Sequence, residues 1–174
     1  MPARRPLRND VTPAGKLAEA RLHFVLGYQL VQAGIVTHQL FADHVGKPLG
    51  LRPVEYTVLN LIDENPGGSL VRLARALAVT APNITAIVDR LEAKGWIQRT
   101  QSEQDRRTQV LSTTAAGTRL AQKATRQILD AEKAMLAHLS PGEQTILVEL
   151  LHKVACARQF PVRATAEKTG RATS

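Results

Sequence analysis

Residues 69–95 read SLVRLARALAVTAPNITAIVDRLEAKG, and this stretch decides the fold. It holds two short amphipathic segments with a tight break between them. In the first, Leu70, Leu73, Ala74 and Leu77 fall on one helical face, while Arg72 and Arg75 point away from it. Ser69 stands where a helix N-cap accepts a backbone N–H. Ala78 and Val79 fit a tight turn, Thr80 is placed to cap the second helix, and Pro82 lies in its first turn. The inward face of that helix is Ile84, Ile87 or Val88, and Leu91, with Gly95 closing it. Its other face shows Pro82, Asn83, Thr85, Ala86, Asp89 and Arg90.

Downstream, residues 96–100 and 108–112 read as two extended strands around a polar connection, 101–107, that carries Asp105, Arg106 and Arg107. Two short helices followed by such a hairpin make a winged helix-turn-helix. The second helix offers short hydrogen-bonding groups, Asn83 and Thr85, near its N-terminus. Pro82 and Ala86 keep that face slim enough for a major groove and able to touch thymine methyl groups. Arg106 and Arg107 reach phosphates or a narrow minor groove, and Asp105 braces one of them. Taken alone, a helix pair, two arginines or a charged tip is a common surface feature; their conjunction points to DNA. The candidate contacts are Arg72, Arg75, Thr80, Pro82, Asn83, Thr85, Ala86, Arg90, Asp105, Arg106 and Arg107.

The charge distribution agrees. The 174 residues carry a net charge of +8 and a pI near 10.3. Residues 72–107 hold seven basic against four acidic side chains, and residues 1–21 hold five against two. A localised excess of this kind suits a polyanion. Cys156 is the single cysteine, so an intramolecular disulfide is excluded. Neither a signal-peptide core nor a membrane span is legible, and a cytoplasmic protein without membrane contact is expected.

Upstream, residues 14–45 read as one long helix. Along it runs a stripe: His23, Gly27, Leu30, Gly34, His38, Phe41 and Val45. The two glycines fit close packing at a dimer seam better than a space left for a ligand. Pro53 opens a further helix, which Asn65-Pro66-Gly67-Gly68 stops. After the hairpin a helix restarts at Thr113–Thr114 and runs towards Leu139, and Ser140-Pro141-Gly142-Glu143 announces a last one reaching about Arg158. The expected organisation is a basic arm (1–13), a helical dimerisation domain (14–50 and 114–158), a winged helix-turn-helix domain (51–113) and a basic tail (159–174).

No metal constellation stands out. His152 and Cys156 share a helix face without a third ligand, and Cys156 reads as interface filler. Gly46-Lys47 is followed by Pro48, so it is no P-loop. No cofactor is implied, and an enzyme is not expected.

Four stretches resemble the MarR family of regulators: LRPVEYTVL (51–59), VDRLEAKGWI (88–97), DRR (105–107) and LSTTAAG (111–117). The resemblance extends over about residues 15–158. It implies a mainly α fold with a winged lobe and an obligate homodimer built from the first and last helices. It further implies a pseudo-palindromic double-stranded DNA operator and a ligand-responsive regulator, usually a repressor. The resemblance also places a pocket beside the first helices, where His23, Tyr28, His38, Phe41 and Tyr56 are available. That mix suits a small aromatic acid, a phenol or the thioester of such an acid. A nonspecific nucleoid-type DNA binder and a winged-helix protein-interaction module are the alternatives.

Overall fold

The computed structural model describes residues 11–101 and 109–159. The chain divides into two compact units, one up to Lys133 and one from Ala134. It is mostly helical, with one small antiparallel sheet.

In the first unit, α1 spans Leu26–Phe41 and passes through a π-helical turn, Ala42–Gly46, into a short α2, Lys47–Leu49. This corrects the expected start of the first helix. Residues 11–25 do not continue it; they form turns and a bridge between Val11 and Ala18. The backbone reverses at Gly15 and Lys16, both with positive φ, and the Thr12 hydroxyl accepts the Leu17 N–H at 3.0 Å. That local closure competes with helix extension. Helix α3 is Pro53–Glu64, α4 Leu70–Leu77 and α5 Ala81–Ala93.

Ser69 caps α4 by accepting the Arg72 N–H. Thr80 sits at the N-cap of α5 in extended conformation but makes no side-chain cap bond, contrary to the sequence reading. Its extended backbone and Pro82 in the first turn set the helix start instead. Ala78 takes the left-handed conformation in the turn between α4 and α5.

Strands β1 (Ile97–Gln101) and β2 (Gln109–Thr113) pair with Arg99 opposite Leu111. A bridge from Gly68 to Leu111 ties the loop before α4 to the same sheet. The core of this lobe is Val58, Leu59, Ile62, Leu73, Ile84, Ile87, Val88, Leu91, Ile97 and Leu111. Each of the larger side chains contributes about 1.5–3 kcal/mol by leaving water. Ile87 and Val88 are both buried, so the two alternatives for the inward face of α5 are both used.

Helix α6 is Ala115–Met135. Its first turn lies hard against the strand entrance: Thr114 N–H donates to the Trp96 carbonyl at 3.0 Å, and the Thr114 hydroxyl donates to Gly95 at 2.7 Å. Asp63 at the end of α3 accepts from the hydroxyls of Thr113 and Thr118. A smaller cluster of Phe41, Val45, Leu51, Ala124 and Ile128 joins α1 and its π turn to α6.

In the second unit, α7 is Pro141–Cys156, started by a reciprocal Ser140–Glu143 capping box. Its apolar residues Ile146, Leu147, Val148, Leu150, Leu151 and Val154 are exposed, as are Leu26, Leu30, Val31, Ile35 and Val36 on α1. Among the described residues no single helix is long and apolar enough to cross a membrane.

Candidate nucleic-acid interface

Helix α5 is held from both sides by charged side chains. On one side is Glu55, in the first turn of α3, only 1% exposed. It accepts the Arg52 N–H at 3.2 Å, Arg90 Nε at 3.1 Å and Lys94 Nζ at 3.3 Å. Burial alone would push this carboxyl up. The three donors outweigh that and hold it below the ordinary glutamate value. Lys94 also lies over the Trp96 ring, 4.6 Å from its centre. On the other side Arg99, projecting from β1, pairs with Asp89 and, at 2.6 Å, with Glu92. The base of the wing is thus bolted to the C-terminal half of α5.

N-terminal to these clamps, the first turns of α5 face outward. Pro82, Asn83 and Ala86 are exposed. Thr85 is half-buried and its hydroxyl donates to the Ala81 carbonyl at 2.9 Å, which leaves only its lone pairs for an outside partner. Arg72, Arg75 and Thr80 are exposed beside this face. Arg90 is half-buried and shares its charge with Glu55, so it reads as a brace of the helix as well as a candidate contact. Asp105, Arg106 and Arg107 lie outside the described residues, as do residues 1–10 of the arm and 160–174 of the tail.

Glu55, Lys94 and Arg99 were not among the sequence-derived candidates. Glu55 had a legible signal, since an acid at the third position of a helix is a capping-box residue. Arg99 had only its place on a strand next to a helix rich in acids.

The residues assigned to an effector separate into two groups. His38, Phe41 and Tyr56 line a cavity of about 300 Å3, together with Thr37, Ile128 and Glu132. The Phe41 and Tyr56 rings are 5.5 Å apart at 59°. The Tyr56 hydroxyl meets Thr125 at 3.1 Å, and Thr125 donates to Asn60 at 2.9 Å. His23 and Tyr28 are not brought there. Both turn to Glu19, a buried carboxylate: Tyr28 donates its hydroxyl to it, and His23 Nδ1 lies 3.7 Å away. The bond to Glu19, with some burial, raises the Tyr28 hydroxyl above its ordinary value. The stripe read along one continuous helix breaks because His23 precedes the helix that carries His38.

A Cβ on Gly27 would meet nothing within 4 Å, and one on Gly34 would meet only the His38 ring at 3.8 Å. Within the chain neither glycine is needed for close packing. His152 Nε2 and Cys156 Sγ stand 3.7 Å apart on α7, and among the described residues no three His, Cys, Asp or Glu gather as a metal site.

Comparison with known proteins bears on the same lobe. The model of the MarR family matches residues 51–108. An HTH-type transcriptional repressor of Mycobacterium tuberculosis is 30% identical over 129 residues, covering 74% of this chain and 92% of its own length. A regulatory protein assigned to the hcr operon of Thauera aromatica is 29% identical over 150 residues, covering 86% and 89%. The transcriptional repressor CouR, solved bound to a 23-mer DNA duplex, superposes with a TM-score of 0.73 at 30% identity, over 80% of this chain and 98% of that one. With its wing hinged on a clamped recognition helix and relatives matched over nearly their full lengths, the chain belongs to the MarR family of DNA-binding transcriptional regulators.

Proposed function

We propose that the protein is a homodimeric, cytoplasmic repressor that reads a pseudo-palindromic operator and releases it when a small aromatic effector binds. The observation that carries the reading is the division of α5. Its apolar residues are buried in the lobe, while Pro82, Asn83 and Ala86 stand exposed at its N-terminal end, ahead of two charge clamps that fix the C-terminal half of the helix. Asn83 and Thr85 read bases. Pro82 and Ala86 contact thymine methyl groups, and Arg72, Arg75, Thr80 and Arg90 position the backbone. Asp105, Arg106 and Arg107 serve the wing. CouR, itself a repressor, supports this use of the lobe.

Residues 51–113 act as the DNA-binding lobe, and 14–50 with 114–158 as the dimerisation domain. The exposed apolar faces of α1 and α7 support a second copy as their cover, since patches of that extent mark interaction sites. The effector lies in the cavity of His38, Phe41 and Tyr56. A ring stacks on Phe41 or Tyr56. A phenolic hydroxyl donates to Glu132, and a carboxylate accepts a ring N–H from His38. Displacing Tyr56 moves the first turn of α3, and with it Glu55 and its hold on α5.

Selection from a randomised duplex pool tests the function. The expected product is an inverted repeat with half-sites about one helical turn, 10 base pairs, apart. Recovery of duplexes without a consensus would support a nonspecific binder instead. Calorimetry with benzoate, salicylate, phenol and 4-hydroxybenzoate on wild type, His38→Ala and Tyr56→Leu tests the effector. Binding indifferent to both substitutions removes it from this cavity.

A further inference from the structure

The winged lobe holds a second cavity, between the C-terminal half of α3 and α4. It encloses about 200 Å3 and is walled by Leu61, Ile62, Leu73 and Ala76, with Asn65 and Arg72 also lining it. Ile62 and Leu73 are buried and Arg72 is exposed, so an apolar floor rises to a cationic rim. Other polar groups of the cavity are committed locally. Asn65 Nδ2 donates to the Leu61 carbonyl at 2.9 Å, and the Ser69 hydroxyl accepts the Arg72 N–H at 3.4 Å. The Arg72 guanidinium makes no hydrogen bond or ion pair among the described residues.

We propose that this cavity binds a short aliphatic carboxylate of about six carbons, its chain against Leu61, Ile62, Leu73 and Ala76 and its carboxylate on the Arg72 guanidinium. The size fits, because apolar cavities of about 150 Å3 already take up benzene. The walls select the class. Their apolar side chains are all aliphatic, with no ring among the lining residues, unlike the cavity at Phe41 and Tyr56. A single uncommitted guanidinium at the rim suits one anionic head on an apolar tail.

A consequence follows for regulation, and it rests on the function proposed above, where Arg72 meets DNA phosphate. A carboxylate held on Arg72 neutralises that cation, so this ligand and DNA compete for it by charge alone. The binding itself does not depend on that role.

The full-length protein is titrated without DNA with butyrate, pentanoate, hexanoate and heptanoate, and with 1-hexanol. Amide chemical shifts locate the site and calorimetry gives the affinity. Shifts should centre on residues 61–76. Affinity should rise about threefold to fourfold per methylene up to hexanoate and level off as the cavity fills. Hexanol and the exposed-site variant Arg72→Gln should each cost about tenfold. Ala76→Leu should reject hexanoate, and Tyr56→Leu should bind it as wild type does. Absence of shifts at millimolar hexanoate would overturn the proposal. So would shifts centred on Phe41, affinity independent of chain length, or Arg72→Gln binding as wild type. If hexanoate binds at residues 61–76 yet leaves DNA affinity unchanged, the contact of Arg72 with phosphate falls and the site stands.

Discussion

Arg90 Nε donates to Glu55 Oε1 across 3.1 Å, and this contact joins the recognition helix to the first turn of α3. The carboxylate is buried, whereas the guanidinium is partly in water. The pair is therefore asymmetric. Arg90 without Glu55 can turn to solvent, but Glu55 without its donors is a buried charge with nothing to hold it.

That asymmetry gives a pH prediction. Glu55 titrates below its ordinary value of 4.5 in the folded protein. A carboxyl depressed by folding adds stability that is fully present above the unfolded value. This stability is lost as pH falls through 4.5 towards the folded value. Thermal midpoints recorded from pH 7 down to acid should fall less steeply for Glu55→Gln than for wild type. At pH 7 the substitution should cost about 2 kcal/mol. Parallel pH profiles for the two proteins would mean that Glu55 is not the group that senses acid.

The approach of α6 to Trp96 gives a steric prediction. A Cβ on Gly117 would lie 1.8 Å from the Trp96 carbonyl oxygen. That atom belongs to the backbone, so no side chain can move to make room. Gly117→Ala should lose at least about 3 kcal/mol of stability, read by denaturant unfolding with Trp96 fluorescence. The matched control is Gly142→Ala on α7, where the new methyl meets nothing within 4 Å. It should be neutral or stabilising by up to about 1 kcal/mol.

The winged lobe was legible because its signals are local. Helical period, the Ser69 cap, the Pro82 start and the glycine stop at Gly95 each depend on neighbours a few residues away, and each sets one boundary. The first helix misled for the opposite reason. Its apolar period runs back past Leu26, but residues 20–24 close a separate turn, with the Leu22 and His23 N–H groups donating to the Glu19 carbonyl, and the chain reverses again at Gly15 and Lys16. Period counts faces and does not register a closed turn. The clamp from Glu55 to Arg90 spans 35 residues, and the one from Arg99 to Glu92 spans seven but crosses the turn from helix to strand, so helical period alone carries no sign of either pairing. The same holds for His23. It shares a helical phase with His38 on paper, yet Glu19 draws it elsewhere.

Arg99 separates the wing's attachment from its contact with DNA. Its side chain is 21% exposed and bonded to Glu92 and Asp89, both on α5. Arg99→Lys keeps the charge but loses the two-pronged grip. Operator affinity should fall about fivefold for Arg99→Lys and further for Arg99→Ala, with the salt dependence of binding unchanged, because no phosphate contact is removed. A shallower salt slope in either variant would show that Arg99 reaches the DNA itself.

Asn83 and the wing arginines should fail in opposite ways when substituted. Asn83 is exposed in the first turn of α5, where an amide can bond an adenine edge. Asn83→Ala should cost about 1–3 kcal/mol on the selected operator and relax the preference at one position, with little change on random duplex. Arg106→Ala and Arg107→Ala should weaken operator and random duplex alike, and each should reduce the slope of log affinity against log salt by about 0.9. Filter binding of both duplexes across a salt series decides between them. Equal losses on operator and random DNA for Asn83→Ala would make it a phosphate contact. A loss confined to the operator for either arginine would make that side chain a reader of the minor groove.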